Sequence, residues 1–471
     1  MTTENRRKEG QEAKTEESER NFVQPLNSAM VDKAEREESL LPNNQRYSYT
    51  PGIEGVVNDY NIQEATKAVI RNKGAAGVDG VTTEEIKGVL QKQWPKVKQD
   101  ILEGRYRPNP VRRVEIPKPD GNGVRKLGIP TVMDRIIQQA IYQELVSTFE
   151  AMFSDNSYGF RPRRNAQQAI LKAQEYIREG YEWVVDIDLE KFFDKVNHDI
   201  LMSRVARKVK DKRILLLIRR YLQAGVLEDG LIHCTEEGTP QGGPLSPLLS
   251  NIMLDDFDKE LEKRGLRFVR YADDCNIYVK TEIAGQRVMR STIKFLITKL
   301  KLKVNNQKSA VAQPWGRKFL GFTFTSGKEP GRIAVHESRV KRLKDKIRGL
   351  TKKMRGKKVT DSIQKLFIPI TRGWANYFSI AEARKVFINI DGWIRRKIRG
   401  ILWRQWKKPR TRYKKLVELG LKEHSARRWA YSSKGPWRMA RTYGMHKALS
   451  NSEIESMGYI PMITLVCARS Q

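Results

Sequence analysis

The chain has 471 residues, with 89 Lys and Arg against 55 Asp and Glu, a net charge of +34 and a pI of about 10.0. That length supports several cores, and so basic a balance is foreign to ordinary metabolic enzymes and points to a polyanionic partner. No apolar run is long enough to span a bilayer, so no membrane association is expected, and the cysteines Cys234, Cys275 and Cys467 stand singly without a C-x-x-C pair; this argues against a zinc ribbon or disulfide framework and fits a reducing, cytoplasmic setting.

Residues 1–40 carry ten acidic and seven basic residues and few large apolar ones. We read a disordered tail to about residue 45, without the apolar core of a signal peptide. The spacing of Ile62, Ala65, Ala68 and Val69 predicts a helix over 61–72. The Gly-rich stretch 73–81 lacks the order of a phosphate-binding P-loop and reads as a turn. A second helix is expected from Thr82, capped by Thr82 or Thr83. Val111–Ile116 and Val124–Ile129 read as a hairpin around Pro119–Gly123, with Lys118, Arg125 and Lys126 on it. Such cations suit a triphosphate. Helices follow over about 132–153 and 166–179, separated by Tyr158-Gly159-Phe160-Arg161-Pro162.

Residues 181–198, YEWVVDIDLEKFFDKVNH, begin as a strand in which Val184, Asp186 and Asp188 point one way. Carboxylates on an apolar strand are costly unless they are paired or hold a metal. His198 reads as a structural or capping residue. Thr239–Pro244 must be a turn-rich loop. It leads into a core helix with Ser246 as the expected N-cap and Pro247 at its first position. That helix leads into LRFVRYADDCNIYVK, residues 266–280, read as two strands joined by a turn holding Asp273 and Asp274. Adjacent carboxylates repel, and a hard cation such as Mg²⁺ relieves them. Residues 331–440 hold a net charge of +25 with six tryptophans, among them Trp393 and Trp437. This predicts a helical domain with an apolar seam and a cationic, nucleic-acid-binding face.

The blocks DIDLEKFFD, TPQGGPLSP and YADD, in this order, resemble reverse transcriptases. KPDG through GIP, LKVNNQKSAV and FLGFTF match the flanking blocks, so the resemblance covers about residues 70–325. ITRGWANYFSIAEA, residues 370–383, and the tail at 434–460 resemble the maturase domain of group II intron-encoded proteins. No paired cysteines or His-rich block resembling the endonuclease of some members follows. The resemblance implies an α+β right-hand polymerase (fingers and palm) followed by an α-helical thumb/maturase domain. The expected division is a tail at 1–45, an N-terminal extension and fingers at 46–170, a palm at 171–328, the thumb at 329–430 and a basic segment at 431–471.

By the same resemblance Asp188, Asp273 and Asp274 are the catalytic carboxylates and hold two Mg²⁺ ions, and Asp186 falls outside the matched position. Lys118, Arg125, Gln241 and Lys308 are implied around the nucleotide, and Phe193, five residues past Asp188, is the sugar gate. Leu320-Gly321 resembles the primer grip. The cations Arg395, Arg396, Lys397 and Arg399 are taken as RNA-binding. The implied partners are group II intron RNA, an RNA template–DNA primer duplex, dNTP and target DNA. The implied function is RNA-directed DNA synthesis with assistance to intron splicing and mobility. The rivals are a retron, diversity-generating or CRISPR-associated reverse transcriptase, and a splicing cofactor with a dead polymerase. Intact Asp188, Asp273 and Asp274 argue against the last.

Overall fold

The computed structural model describes residues 50–117, 123–228, 231–233, 236–240, 242–327, 329–354 and 356–468. The expected tail at 1–45, Lys118, Cys234 and Gln241 lie outside the described residues. The chain divides into two compact units between Ala312 and Gln313.

The first unit begins with helices α1 (Asp59–Arg71) and α2 (Ile86–Leu102). The second helix starts later than its threonines suggest. Thr82 and Glu85 bond each other reciprocally one turn earlier, through Thr82 N to Glu85 Oε2 (3.0 Å) and Glu85 N to Thr82 Oγ1 (3.4 Å). Strands β1 (Val111–Pro117) and β2 (Val124–Ile129) form the expected antiparallel hairpin, from Arg112↔Ile129 to Pro117↔Val124. Helix α3 (Val132–Glu150) is capped by Thr131 and buried on nearly every face, so it forms the axis of this half. Helix α4 (Ala166–Arg178) opens with a capping box between Asn165 and Gln168.

Strand β3 (Trp183–Ile187) leads to α5 (His198–Val205), α6 (Lys212–Gln223), and the short strands β4 (Val226–Glu228) and β5 (Leu231–His233). Helix α7 (Ser246–Lys263) precedes the hairpin of β6 (Arg267–Tyr271) and β7 (Asp274–Val279). Helix α8 (Glu282–Lys299) and strand β8 (Ala310–Ala312) close the unit. Two four-stranded sheets result, ordered β2-β1-β4-β5 and β6-β7-β3-β8. The second is antiparallel throughout, and α8 packs on β3, β7 and β8. Gly285 permits that approach, because a Cβ there would stand 2.5 Å from Val311 Cγ1.

One expected cap is replaced. Leu245, not Ser246, occupies the N-cap of α7. The Ser246 hydroxyl instead donates to the Pro240 carbonyl at 2.7 Å and fastens the preceding glycine loop.

In the second unit, β9 (Phe322–Phe324) and β10 (Ile333–Val335) form a two-stranded ribbon before the helices. The FLGFTF block, placed at the end of the palm by sequence, packs with this unit, and Tyr377 donates to the Leu320 carbonyl at 2.8 Å. Then come α9 (Glu337–Lys353), α10 (Ile368–Tyr377), α11 (Arg384–Gln405), α12 (Pro409–Glu418) and α13 (Glu423–Ala430), with short helices to Cys467. Trp403 and Trp406 are buried, whereas Trp437 is 40 % exposed. Among the described residues no helix is long and apolar enough to cross a membrane.

The last segment is tied to α11 by a buried carboxylate. Asp391 accepts from Tyr459 Oη at 2.5 Å, Met462 N at 2.9 Å and Ile463 N at 3.1 Å. Removing the acceptor leaves three donors to be rehoused, at a cost of about 1–3 kcal/mol per buried group left unsatisfied. Asp391→Ala is therefore expected to lower stability by roughly 2–4 kcal/mol, measured by denaturant or thermal melting of the full chain.

Candidate active site and nucleic-acid interface

The antiparallel register Ile187↔Cys275 carries β3 out of the sheet beside the β6–β7 turn. Asp188 is the first residue past the strand, and its backbone is fixed on both sides. Its N–H donates to Ser309 Oγ (2.9 Å), and its carbonyl accepts from Asn305 N (2.8 Å). Lys308 Nζ stands 3.7 Å from Asp188 Oδ2, an ion pair that places this cation at the carboxylate. Asp186 lies two residues earlier, paired with Asn276 on one side and Ala310 on the other.

Asp273 sits in the turn. Burial pushes its carboxyl up from the ordinary aspartate range, and the Asp188 charge pushes the same way. Its own backbone N–H, Arg125 and Arg270 act against that rise. Asp273 thus senses Asp188 as a like charge, and a divalent cation with hard-oxygen preference suits that donor pair. Asp274 opens β7 opposite Tyr271 and is exposed. Among the described residues no three or more His, Cys, Asp or Glu side chains converge as a ready-made metal centre. The protein therefore brings together a carboxylate pair, with Asp274 adjacent in the chain.

Phe193 is half-buried and braced edge-on by Phe192 (centroids 5.3 Å) and Phe160 (6.5 Å). Its carbonyl accepts from Thr239 N at 2.6 Å, and the buried His198 ring bonds the Gly238 carbonyl at 2.6 Å. His198 is thus structural, holding the glycine loop against the Phe193 segment. Gly242 and Gly243 are required by close approach. A Cβ at the first would meet Gly128 O at 2.4 Å, and at the second Gln138 Oε1 at 2.1 Å. Arg125 is exposed on β2, whereas Lys126 pairs with Glu115 and Glu228, each at 3.7 Å. In the Gly-rich stretch, Ala75 and Ala76 carbonyls accept from Arg135 and Arg112, which fits the turn reading.

The four cations chosen on α11 divide between two faces. Arg399 is 2 % exposed and donates to Leu449 O (2.7 Å) and Asn451 Oδ1 (3.1 Å). Burial, reinforced by Arg395, pulls its pKa down to about 10. Arg395 pairs with Glu455 at 3.0 Å. These two hold the C-terminal segment, and burial withdraws the Arg399 guanidinium, taken from the sequence as RNA-binding, from the surface. At 100° per residue they share a stripe with Asp391, and Lys397 lies across the helix from it.

Lys397 lies 5.3 Å from the Trp393 ring centroid and 4.6 Å from that of Trp437. Arg396 stacks on Trp437 at 3.5 Å and donates to its carbonyl at 2.9 Å. Arg348 and Lys344 of α9 approach Trp393 at 5.6 and 5.9 Å. Burial and the charges of Arg348, Arg404 and Arg396 lower the Lys397 pKa. Cations crowded around aromatic faces form a surface suited to phosphates and bases.

Sequence reading did not single out Asn251, Asp258 or Arg270, and took Gly159 only as part of a helix break; all four surround the carboxylate turn. The available signal was Arg270 directly after the apolar pair Phe268-Val269, inside the strand that leads to the turn.

An antiparallel sheet with a carboxylate pair at its strand ends, a basic hairpin and a glycine loop fit the class of template-directed nucleic-acid polymerases. Residues 116–324 match the family model of reverse transcriptase (RNA-dependent DNA polymerase), and residues 340–420 match that of the group II intron maturase-specific domain. The chain is 34% identical over 290 residues to protein YkfC of Escherichia coli, covering 53% of this chain and 76% of that protein. It is 40% identical over 199 residues to the group II intron-encoded protein LtrA of Lactococcus lactis, covering 42% of this chain but only 33% of that one. The chain belongs to the group II intron reverse transcriptase/maturase family.

The two faces of α11 predict separable effects. Lys397→Ala with Arg404→Ala should weaken RNA binding. It should also reduce the slope of log affinity against log salt by roughly 0.7 for each phosphate of single-stranded RNA that is no longer neutralised. Arg399→Met should lower the melting temperature and leave that slope unchanged. Filter binding over a salt series, beside thermal melting, measures both.

Proposed function

We propose that this chain extends a DNA primer on an RNA template with dNTPs, and that its second unit binds group II intron RNA and supports splicing and insertion into target DNA. The observation that carries the reading is the juxtaposition of Asp188 and Asp273 at one end of the palm sheet, within the segment that matches reverse transcriptases.

The reaction joins a primer 3′-hydroxyl to the α-phosphate of a nucleotide and releases pyrophosphate. Asp188 and Asp273, with Asp274 beside them, would hold two Mg²⁺ ions, which when bound supply a more nucleophilic hydroxyl and stabilise the leaving oxygen. The Asp188 backbone is pinned by Ser309 and Asn305, so its carboxylate needs little reorganisation. Lys308 would compensate the Asp188 charge until the substrates enter, and Arg125 would face the triphosphate. The braced Phe193 ring would stand under the sugar and exclude a 2′-hydroxyl. Among the described residues Cys275 and Cys467 are free thiols, in keeping with a cytoplasmic setting.

Asp273→Ala is expected to lower primer extension on an RNA template by about 10³-fold or more, since several kcal/mol of charge stabilisation is lost. Asp188→Ala should be as severe and Asp186→Ala milder. Extension by Asp273→Ala near the wild-type rate would remove Asp273 from the mechanism. Phe193→Ala should relax dNTP over rNTP preference by roughly 1–3 kcal/mol, or about 5- to 150-fold. Single-nucleotide kinetics with both substrates would show this, and an unchanged ratio would reject the gate.

A further inference from the structure

The best-determined object near the reaction is not itself acidic. It is the guanidinium of Arg270, one residue before the Tyr271-Ala272-Asp273-Asp274 turn. Arg270 and Asp258 of α7 are both 0 % exposed and meet fork on fork, with Nε to Oδ1 at 2.7 Å and Nη2 on Oδ2. The remaining nitrogen, Nη1, donates to the Ala272 carbonyl at 2.8 Å and to Asn251 Oδ1 at 3.0 Å. Asn251 is also fully buried, and its Nδ2 donates to the Gly159 carbonyl at 2.9 Å. Gly159 in turn lies flat against the turn. A Cβ there would stand 2.1 Å from Ala272 N and 2.8 Å from Tyr271 C, both backbone atoms with no side chain to give way.

The backbone of Arg270 is gripped as well. Its N–H donates to Asn156 O (2.9 Å) and its carbonyl accepts from Tyr158 N (2.8 Å). Arg161 fixes that same loop through the Ser154 and Ser157 carbonyls and Glu150. Ala272 adopts φ 57°, a left-handed conformation that residues other than glycine hold only when their surroundings dictate it. Here the surroundings do: its N–H side abuts Gly159 and its carbonyl is held by Arg270.

Stability alone is a poor account of this arrangement, because a buried ion pair is often replaceable by apolar side chains without loss. Lysine would not serve, since one ammonium cannot grip a carboxylate with two parallel bonds and reach two further acceptors in a plane. We propose that Arg270, oriented by Asp258 and Asn251 against the stop provided by Gly159, is a positioning residue that sets where the Asp273 carboxylate stands beside Asp188. The proposal rests on the reading of Asp273 as catalytic.

The test uses the full chain with Arg270→Lys, the double variant Asp258→Leu/Arg270→Met, Gly159→Ala and Asp273→Ala. Each is measured for melting temperature, template–primer binding without nucleotide, single-nucleotide kcat and KM for dNTP, and Mn²⁺ uptake by electron paramagnetic resonance. The expected result is a double variant that melts within a few degrees of wild type and binds template–primer within about twofold. Its kcat should fall at least tenfold with little change in KM, and its Mn²⁺ uptake should weaken several-fold. Arg270→Lys and Gly159→Ala should move kcat and Mn²⁺ uptake the same way. A double variant with wild-type kcat and Mn²⁺ uptake overturns the proposal. A fall in kcat matched by a fall in melting temperature or in template–primer binding also overturns it, because the pair then merely holds the fold. If the double variant does not fold, Arg270→Lys is judged by the same measures, and failure of both to fold rejects a positioning role. Wild-type extension by Asp273→Ala would instead reject the catalytic reading itself.

Discussion

The antiparallel pairing of β3 with β7 is the constraint on which the rest depends. One register, running from Trp183↔Val279 to Ile187↔Cys275, decides that Asp188 leaves the sheet where the β6–β7 turn begins. A slip of one residue would turn every side chain of β3 to the opposite face and take Asp188 away from Asp273. The register is held by apolar residues buried on both faces, Val184, Val185 and Ile187 against Ile277, Tyr278 and Val279, with α8 drawn close over Gly285. The hydrophobic core therefore fixes the electrostatics at its edge: it brings two carboxylates together that would separate if left to themselves.

Much of this was legible in the sequence. Alternating apolar residues on either side of Ala272-Asp273 announced the hairpin, and Asp188 beyond an apolar run announced a second carboxylate-bearing strand. The helix stripe of α1 was readable from the spacing of Ile62, Ala65, Ala68 and Val69, because that helix has one buried face. What could not be read were features that depend on partners distant in the chain. Asp258 lies among charged neighbours on α7 and looks like solvated surface until β6 brings Arg270 onto it. Ser246 has the form of an N-cap, but a carbonyl six residues earlier competes for its hydroxyl and wins.

The cations of α11 show a different limit. Arg395, Arg396, Lys397 and Arg399 are one cluster along the chain, yet the helical turn sends them to opposite sides. Charge counts over a window are blind to that phase. The net +25 of residues 331–440 remains a sound statement about the partner, because counterion release sums over phosphates and does not require any particular residue. Which cations remain at the surface is a separate matter, decided by burial and by competing acceptors such as Leu449 O and Asn451.

That same stripe gives residues 449–463 a hold on the helix that carries the cation–tryptophan surface. Asp391, Arg395 and Arg399 each bond a group between residues 449 and 463, so the tail acts as a splint along one side of the helix whose other side presents Lys397. Proteolytic trimming inside this splint would loosen the presenting helix without removing a single residue of the cation–tryptophan surface. An affinity tag fused close behind Cys467 could disturb the same seam. For anyone engineering this polymerase, a weakened grip on RNA after such trimming or fusion would therefore be no sign that the altered segment touches RNA.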